Sequence, residues 1–161
     1  MGWDLGLDRV NRVAAALNVK HPANTVILVA GTNGKGSCCE ALNTLSMEAG
    51  LKTGLTTSPH IHQFSERIRI DGCPVEDRTI AAAFETIEQA RGETTLTYFE
   101  FASLAAMVIF ESEALDVAIL EIGLGGRLDA MNVVDPDISV VLPIALDHQE
   151  YLGHSREQIG V

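Results

Sequence analysis

The run Thr25-Val-Ile-Leu-Val-Ala30, followed directly by Gly31-Thr-Asn-Gly-Lys-Gly-Ser37, constrains the fold more than any other feature of the chain. A short, continuous, β-branched apolar run bounded by turn residues is expected of a strand in a buried parallel sheet. After the glycines comes a helical pattern, with Leu42, Leu45 and Ala49 on one face and Gly50 as its stop. A strand, a glycine-rich turn and a helix N-terminus together present backbone N–H groups and a positive partial charge to an anion. Lys35 adds a cation able to neutralise terminal phosphates. The spacing departs from G-x-x-x-x-G-K-[ST], because Val29 stands five places before Gly34 and Gly36 stands where the hydroxyl is usual. The hydroxyl arrives one place later, at Ser37. A plain glycine-rich αβ turn accounts for each of these residues singly, but not for strand, glycines, lysine and hydroxyl in one place.

The rest of the chain alternates in the same way. Val10, Ala14 and Leu17 mark a first helix face that Asn18 and Pro22 close. Lys52–Thr57 is a strand candidate, and Arg67–Ile70 followed by Asp71-Gly72 predicts a strand entering a turn. Ile80, Phe84 and Ile87 repeat at helical spacing up to Gly92, and Phe101, Leu104, Ala105 and Val108 repeat it again. Asp116–Ile122 and Ile138–Leu142 predict two more strands of the buried type, and Ser155–Ile159 the first turn of a helix. The expected fold class is α/β: a mostly parallel sheet with helices on both faces, containing a phosphate loop. No repeat, low-complexity segment or linker divides the chain, so one domain is expected over residues 1–161.

Charge narrows the partners. With a net charge of −11 the chain lacks the basic stripe that nucleic-acid backbones require, although a few N–H groups and one lysine can still hold a nucleotide. No apolar run reaches bilayer length and the first ten residues do not resemble a signal peptide, so no membrane partner and a cytoplasmic location are expected. Cys38, Cys39 and Cys73 have neither metal-ligand spacing nor an even count, and are expected to be buried or half-buried free thiols.

Three further segments follow predicted strands. Ser58-Pro-His60 follows the second, and Asp147-His148 the last. Glu121 ends an otherwise apolar strand, where an ionised carboxylate is costly unless paired or bound to a cation. Carboxylate, hydroxyl and imidazole at neighbouring strand ends suit Mg²⁺ shared with nucleotide phosphates, although imidazole is an uncommon Mg²⁺ ligand. Each has a bland alternative: a turn hydroxyl, an ion-paired strand end, a satisfied loop histidine. Gly123-Leu-Gly-Gly-Arg127-Leu-Asp129 is a second glycine-rich segment, suited either to close approach by a ligand or to a flexible connection.

Taken in order, these segments resemble the folylpolyglutamate synthase/dihydrofolate synthase family, a branch of the Mur-ligase-like ATP-dependent amide ligases. The blocks are Asp4–Val10, Val29–Ser37, Thr57–His60, Leu96–Glu100, Leu120–Asp129 and Ala145–His148. The resemblance implies that Thr32, Asn33, Gly34, Lys35, Gly36 and Ser37 bind ATP, and that Ser58, Glu121 and His148 are Mg²⁺ ligands. It implies Lys35 and His148 as catalytic residues. Trp3, Asp4, Leu5, Thr97, Tyr98, Phe99, Leu128, Asp129 and Ala130 would line the pteroate pocket. The implied substrates are dihydropteroate or folate and L-glutamate, joined after ATP phosphorylates the carboxylate, and a monomer is expected.

Two departures stand out. The family's L-D-A-T-N block reads Leu128-Asp-Ala-Met131-Asn132, replacing a hydroxyl with a thioether. The family's enzymes are also longer, with a C-terminal domain and a modified lysine that would follow Val161. The chain is therefore expected to correspond to an N-terminal, nucleotide-binding part.

Overall fold

The computed structural model describes residues 6–160. Within it the chain forms one six-stranded sheet in the order β4-β3-β2-β5-β1-β6. The central strands are β1 (Thr25–Ala30), β2 (Thr53–Thr56) and β5 (Val117–Glu121), with β6 (Ile138–Val141) outside β1. These four run parallel, β5 pairing with both β1 and β2 and β6 pairing with β1. β3 (Ile68–Ile70) and β4 (Cys73–Pro74) add an antiparallel margin through the turn at Asp71-Gly72.

Alternation along the strands builds a core on each face. Val26 and Leu28 of β1, with Ala118 and Leu120 of β5, face the larger cluster. That cluster takes Val10 and Val13 from α1 (Asp8–Leu17), Ile80 and Ile87 from α3 (Asp77–Arg91), and Leu104 and Phe110 from α4 (Tyr98–Ser112). Ile27 and Val29, with Val117 and Ile119, face the other way onto Cys39 of α2 (Lys35–Glu48). Helices thus cover both faces of a mostly parallel sheet, as the sequence pattern predicts. Two short helices, α5 (Gln149–Leu152) and α6 (Arg156–Ile159), follow β6. Among the described residues no helix is long and apolar enough to cross a membrane.

Two expectations need correction. Ile138–Leu142 has the composition of a buried strand, yet Ile138 is 48% exposed and Val141 66%. β6 pairs only with β1, and an edge strand has the same apolar residues as a central one without the same cover. Of the cysteines, Cys39 is buried and Cys38 half-buried, but Cys73 is exposed because β4 is a two-residue edge strand. Burial, reinforced by Glu121, pushes the Cys39 thiol up to about 12, so it is inert packing.

Candidate functional site

Because β2, β5, β1 and β6 are parallel neighbours, their carboxyl ends meet along one rim, the usual place for a ligand in such a sheet. At the end of β1, Gly31 adopts φ 135° and packs so closely on the Leu142 backbone that an added Cβ would lie 2.7 Å from that residue's Cβ. Gly34, at φ 85°, turns the chain into α2, whose first residue is Lys35. The first intrahelical bond comes from Cys38 N–H to Gly34 C=O, so the preceding N–H groups at the helix start have no partner within the helix. These are the donors a phosphate loop needs.

Lys35 is folded back on the loop, donating to the carbonyls of Gly31 at 2.9 Å and Thr32 at 3.3 Å. With Gly31, Thr32, Arg127, Asp147 and His148 it lines a cavity of about 210 Å³. The Thr32 hydroxyl, expected on a phosphate, is engaged elsewhere. It accepts a bond from Ala145 N–H at 2.9 Å and donates to Ala145 C=O at 3.3 Å.

Glu121 is 5% exposed, and its Oε2 accepts a 2.9 Å bond from Ser58 N–H. Burial raises its pKa; the Ser58 N–H and the Lys35 charge act against that rise. A nearly dry carboxylate with one neutral donor and one nearby lysine is under-compensated, and its hard oxygens fit a divalent cation. The bond to Glu121 uses only the Ser58 backbone N–H, so the Ser58 hydroxyl is not spent on that contact. His148 takes up φ 46° just beyond β6 with its side chain about half exposed, against Asp147 at 3.8 Å. The structure therefore joins Ser58 to Glu121 directly and places His148 on the cavity with Lys35, without contact to that pair.

The second glycine-rich segment is organised rather than loose. Asp129 is buried, accepting Gly123 N–H (3.1 Å) and Leu124 N–H (2.9 Å) on Oδ2 and Met131 N–H (2.9 Å) on Oδ1. Burial still lifts its carboxyl to about 6, the three N–H groups and Lys35 opposing the rise. Ala130 and Met131 are buried in the main core, and Leu128 is 43% exposed. Met131 thus serves through a backbone N–H that any residue except proline supplies, while its side chain packs in the core.

The segment Thr97-Tyr-Phe faces several ways. Thr97 caps α4: its hydroxyl accepts Glu100 N–H at 3.2 Å, and the Glu100 carboxylate accepts Thr97 N–H at 2.6 Å. Phe99 packs on Gly123, where an added Cβ would lie 2.4 Å from the ring. Tyr98 is 62% exposed and stands edge-on to Phe64, with the Arg67 guanidinium 5.6 Å from its ring centre. Trp3, Asp4 and Leu5 lie outside the described residues.

Sequence reasoning missed three linkages: Arg9 paired with Glu100 at 3.2 Å, Arg67 donating to His60 Nδ1 at 2.8 Å, and Thr32 on Ala145. None of the three has a local signal, unlike the Thr97–Glu100 cap, which the T-x-x-E spacing of a capping box announces.

The chain is 52% identical over 157 residues to the dihydrofolate synthase/folylpolyglutamate synthase of Escherichia coli strain K12, covering 98% of this chain and 37% of that protein. The chain belongs to the dihydrofolate synthase/folylpolyglutamate synthase family. It superposes on E. coli FolC in complex with DHPP and ADP with a TM-score of 0.98 and 51% identity, over 99% of this chain and 39% of that one. A bifunctional folylpolyglutamate synthase/dihydrofolate synthase with Mn, AMPPNP and L-glutamate bound matches at TM-score 0.93 and 47% identity, again over 99% and 39%. No family model matches the chain. The chain spans a little over a third of the length of these relatives.

Proposed function

We propose that residues 1–161 form the ATP-binding domain of a carboxylate–amine ligase. It joins L-glutamate to dihydropteroate, and further glutamates to folate, by way of an acyl phosphate. The observation that carries this reading is the juxtaposition, on one sheet rim, of a lysine-bearing helix N-terminus with buried Glu121 and the half-buried Ser58 bonded to it. The relatives supply the substrate class: one is bound to DHPP and ADP, another to Mn, AMPPNP and L-glutamate.

In this reading the unpaired N–H groups from Asn33 to Ser37 cradle the phosphates, and Lys35 swings from the Gly31 and Thr32 carbonyls onto the terminal one. Glu121 and the Ser58 hydroxyl would hold Mg²⁺, with His148 brought in as a third ligand. A cation held there would supply Lewis-acid stabilisation of the negative charge on the transferring phosphoryl group. Phe99, seated on Gly123, and the Leu128–Ala130 segment shape the pteroate side. Asp129 holds that segment in place by its three N–H bonds. The chain is further proposed to act as a cytoplasmic monomer, without nucleic-acid or membrane partners.

The test is phosphate release from ATP by the purified chain, with a dihydropteroate titration in AMPPNP and Mg²⁺ as the binding readout. Dihydropteroate binding that strengthens with AMPPNP, and phosphate release that needs both dihydropteroate and L-glutamate, are the expected results. Binding without release assigns the chain the nucleotide and pteroate steps alone. Turnover with a muramyl-type acid in place of dihydropteroate sinks the folate assignment.

A further inference from the structure

We infer that Thr32 is a positioning residue that ties the phosphate loop to the His148 segment, and so sets where the metal-side imidazole stands relative to Lys35. The inference rests on the proposed nucleotide and metal site. The family resemblance puts Thr32 among the phosphate contacts, but its hydroxyl is spent on the backbone of a residue 113 places away. Oγ1 accepts from Ala145 N–H at 2.9 Å and donates to Ala145 C=O at 3.3 Å, which uses its one proton and one lone pair in a two-point clasp. Thr32 N–H points the same way, toward Pro143 C=O at 3.4 Å.

The other side of the residue faces the lysine. Thr32 C=O accepts Lys35 Nζ at 3.3 Å. One residue therefore touches both Lys35 and the strand-end segment that reaches His148 three places after Ala145. That segment needs a tether. β6 is an exposed edge strand, and α5, which follows His148, is only four residues long with none buried. His148 itself sits at positive φ, held locally by its own N–H on Asp147 Oδ1 at 2.9 Å. Among the described residues, no other side chain of Gly31–Ser37 hydrogen-bonds to residues 142–148.

The clasp predicts a particular pattern. Thr32→Val keeps the shape and removes both bonds; Thr32→Ser keeps the hydroxyl and removes a methyl. The quantity to read is the metal increment, the ratio of AMPPNP affinity with Mn²⁺ or Mg²⁺ to that with EDTA. Loss of a hydrogen-bonded clasp is worth roughly tenfold. T32V is expected to lose about that much of the increment, and T32S to restore most of it. On a His148→Ala background, T32V should take nothing further from the increment, because the clasp acts through His148.

Amide hydrogen exchange gives a readout free of ligand. Protection of the Ala145 N–H should fall in T32V and Thr32→Ala and persist in T32S, with the α2 amides unchanged. An increment kept intact by T32V, or an Ala145 amide equally protected in every variant, overturns the inference alone. A wild-type chain with no metal increment overturns the functional reading and this inference with it.

Discussion

Ser58 donates its backbone N–H to Glu121 Oε2 at 2.9 Å, joining the ends of two neighbouring parallel strands through a carboxylate that is 5% exposed. A charge so placed costs stability unless something returns the lost hydration, and one N–H with a nearby lysine returns only part of it. A carboxylate kept at such a cost is what the proposed cation site requires.

Glu121→Gln removes that charge while keeping volume and an acceptor for Ser58. Its unfolding free energy from urea denaturation should equal that of the wild type or exceed it by up to about 1 kcal/mol. A loss above about 2 kcal/mol would mean that the carboxylate stabilises the fold.

Asp129 gives a pH signature. Its folded-state pKa is lifted from 3.8 to about 6, so the folded chain binds the proton more tightly than the unfolded chain. Stability therefore falls as pH rises through that window, by up to about 3 kcal/mol from this group. Urea denaturation of the wild type and Asp129→Asn between pH 4 and 7 isolates the term. The wild type should lose ground to the variant as pH rises. A difference that is flat across the window contradicts the assignment.

At the start of α4, Thr97→Ala should cost about 1 kcal/mol by losing the cap. Glu100→Ala should cost about 2 kcal/mol, because it removes both the carboxylate that accepts Thr97 N–H and the contact to Arg9. The double variant should cost less than the sum, since both residues serve one capping box. Additive losses in thermal melts would separate cap from ion pair.

Two glycines provide a contrast. Gly31→Ala places a Cβ 2.7 Å from that of Leu142 at φ 135°, and should cost about 2 kcal/mol or more. Gly126→Ala meets nothing within 4 Å and should stay within about 0.5 kcal/mol. Equal effects on the melting temperature would mean that the loop at Gly31 relaxes freely.

Much of this was legible before the structure. The continuous runs at Thr25–Ala30 and Val117–Glu121 read as central strands because both faces of those strands are covered. The run in β6 reads identically, since apolar composition does not record how many neighbours a strand has. Local geometry was legible where the chemistry is local: Gly34 before Lys35, or Asp71-Gly72 between antiparallel strands. Thr97 and Glu100 carry a cap signal that the family resemblance of Leu96–Glu100 obscured. The link from Thr32 to Ala145 has no sequence signal, because a hydroxyl meeting a backbone 113 residues away follows only from the strand order.

The central claim is that the sheet rim binds a nucleotide with its metal through Lys35 and Glu121. Calorimetric titration of the chain with AMPPNP, in Mg²⁺ and in EDTA, tests it most directly when run on the wild type, Lys35→Met and E121Q. The wild type should bind more tightly with Mg²⁺. K35M should lose at least about tenfold under both conditions, as expected for a charge-assisted contact. E121Q should lose the Mg²⁺-dependent gain specifically. Equal affinities for all three proteins, or a gain from Mg²⁺ that survives E121Q, would contradict the account.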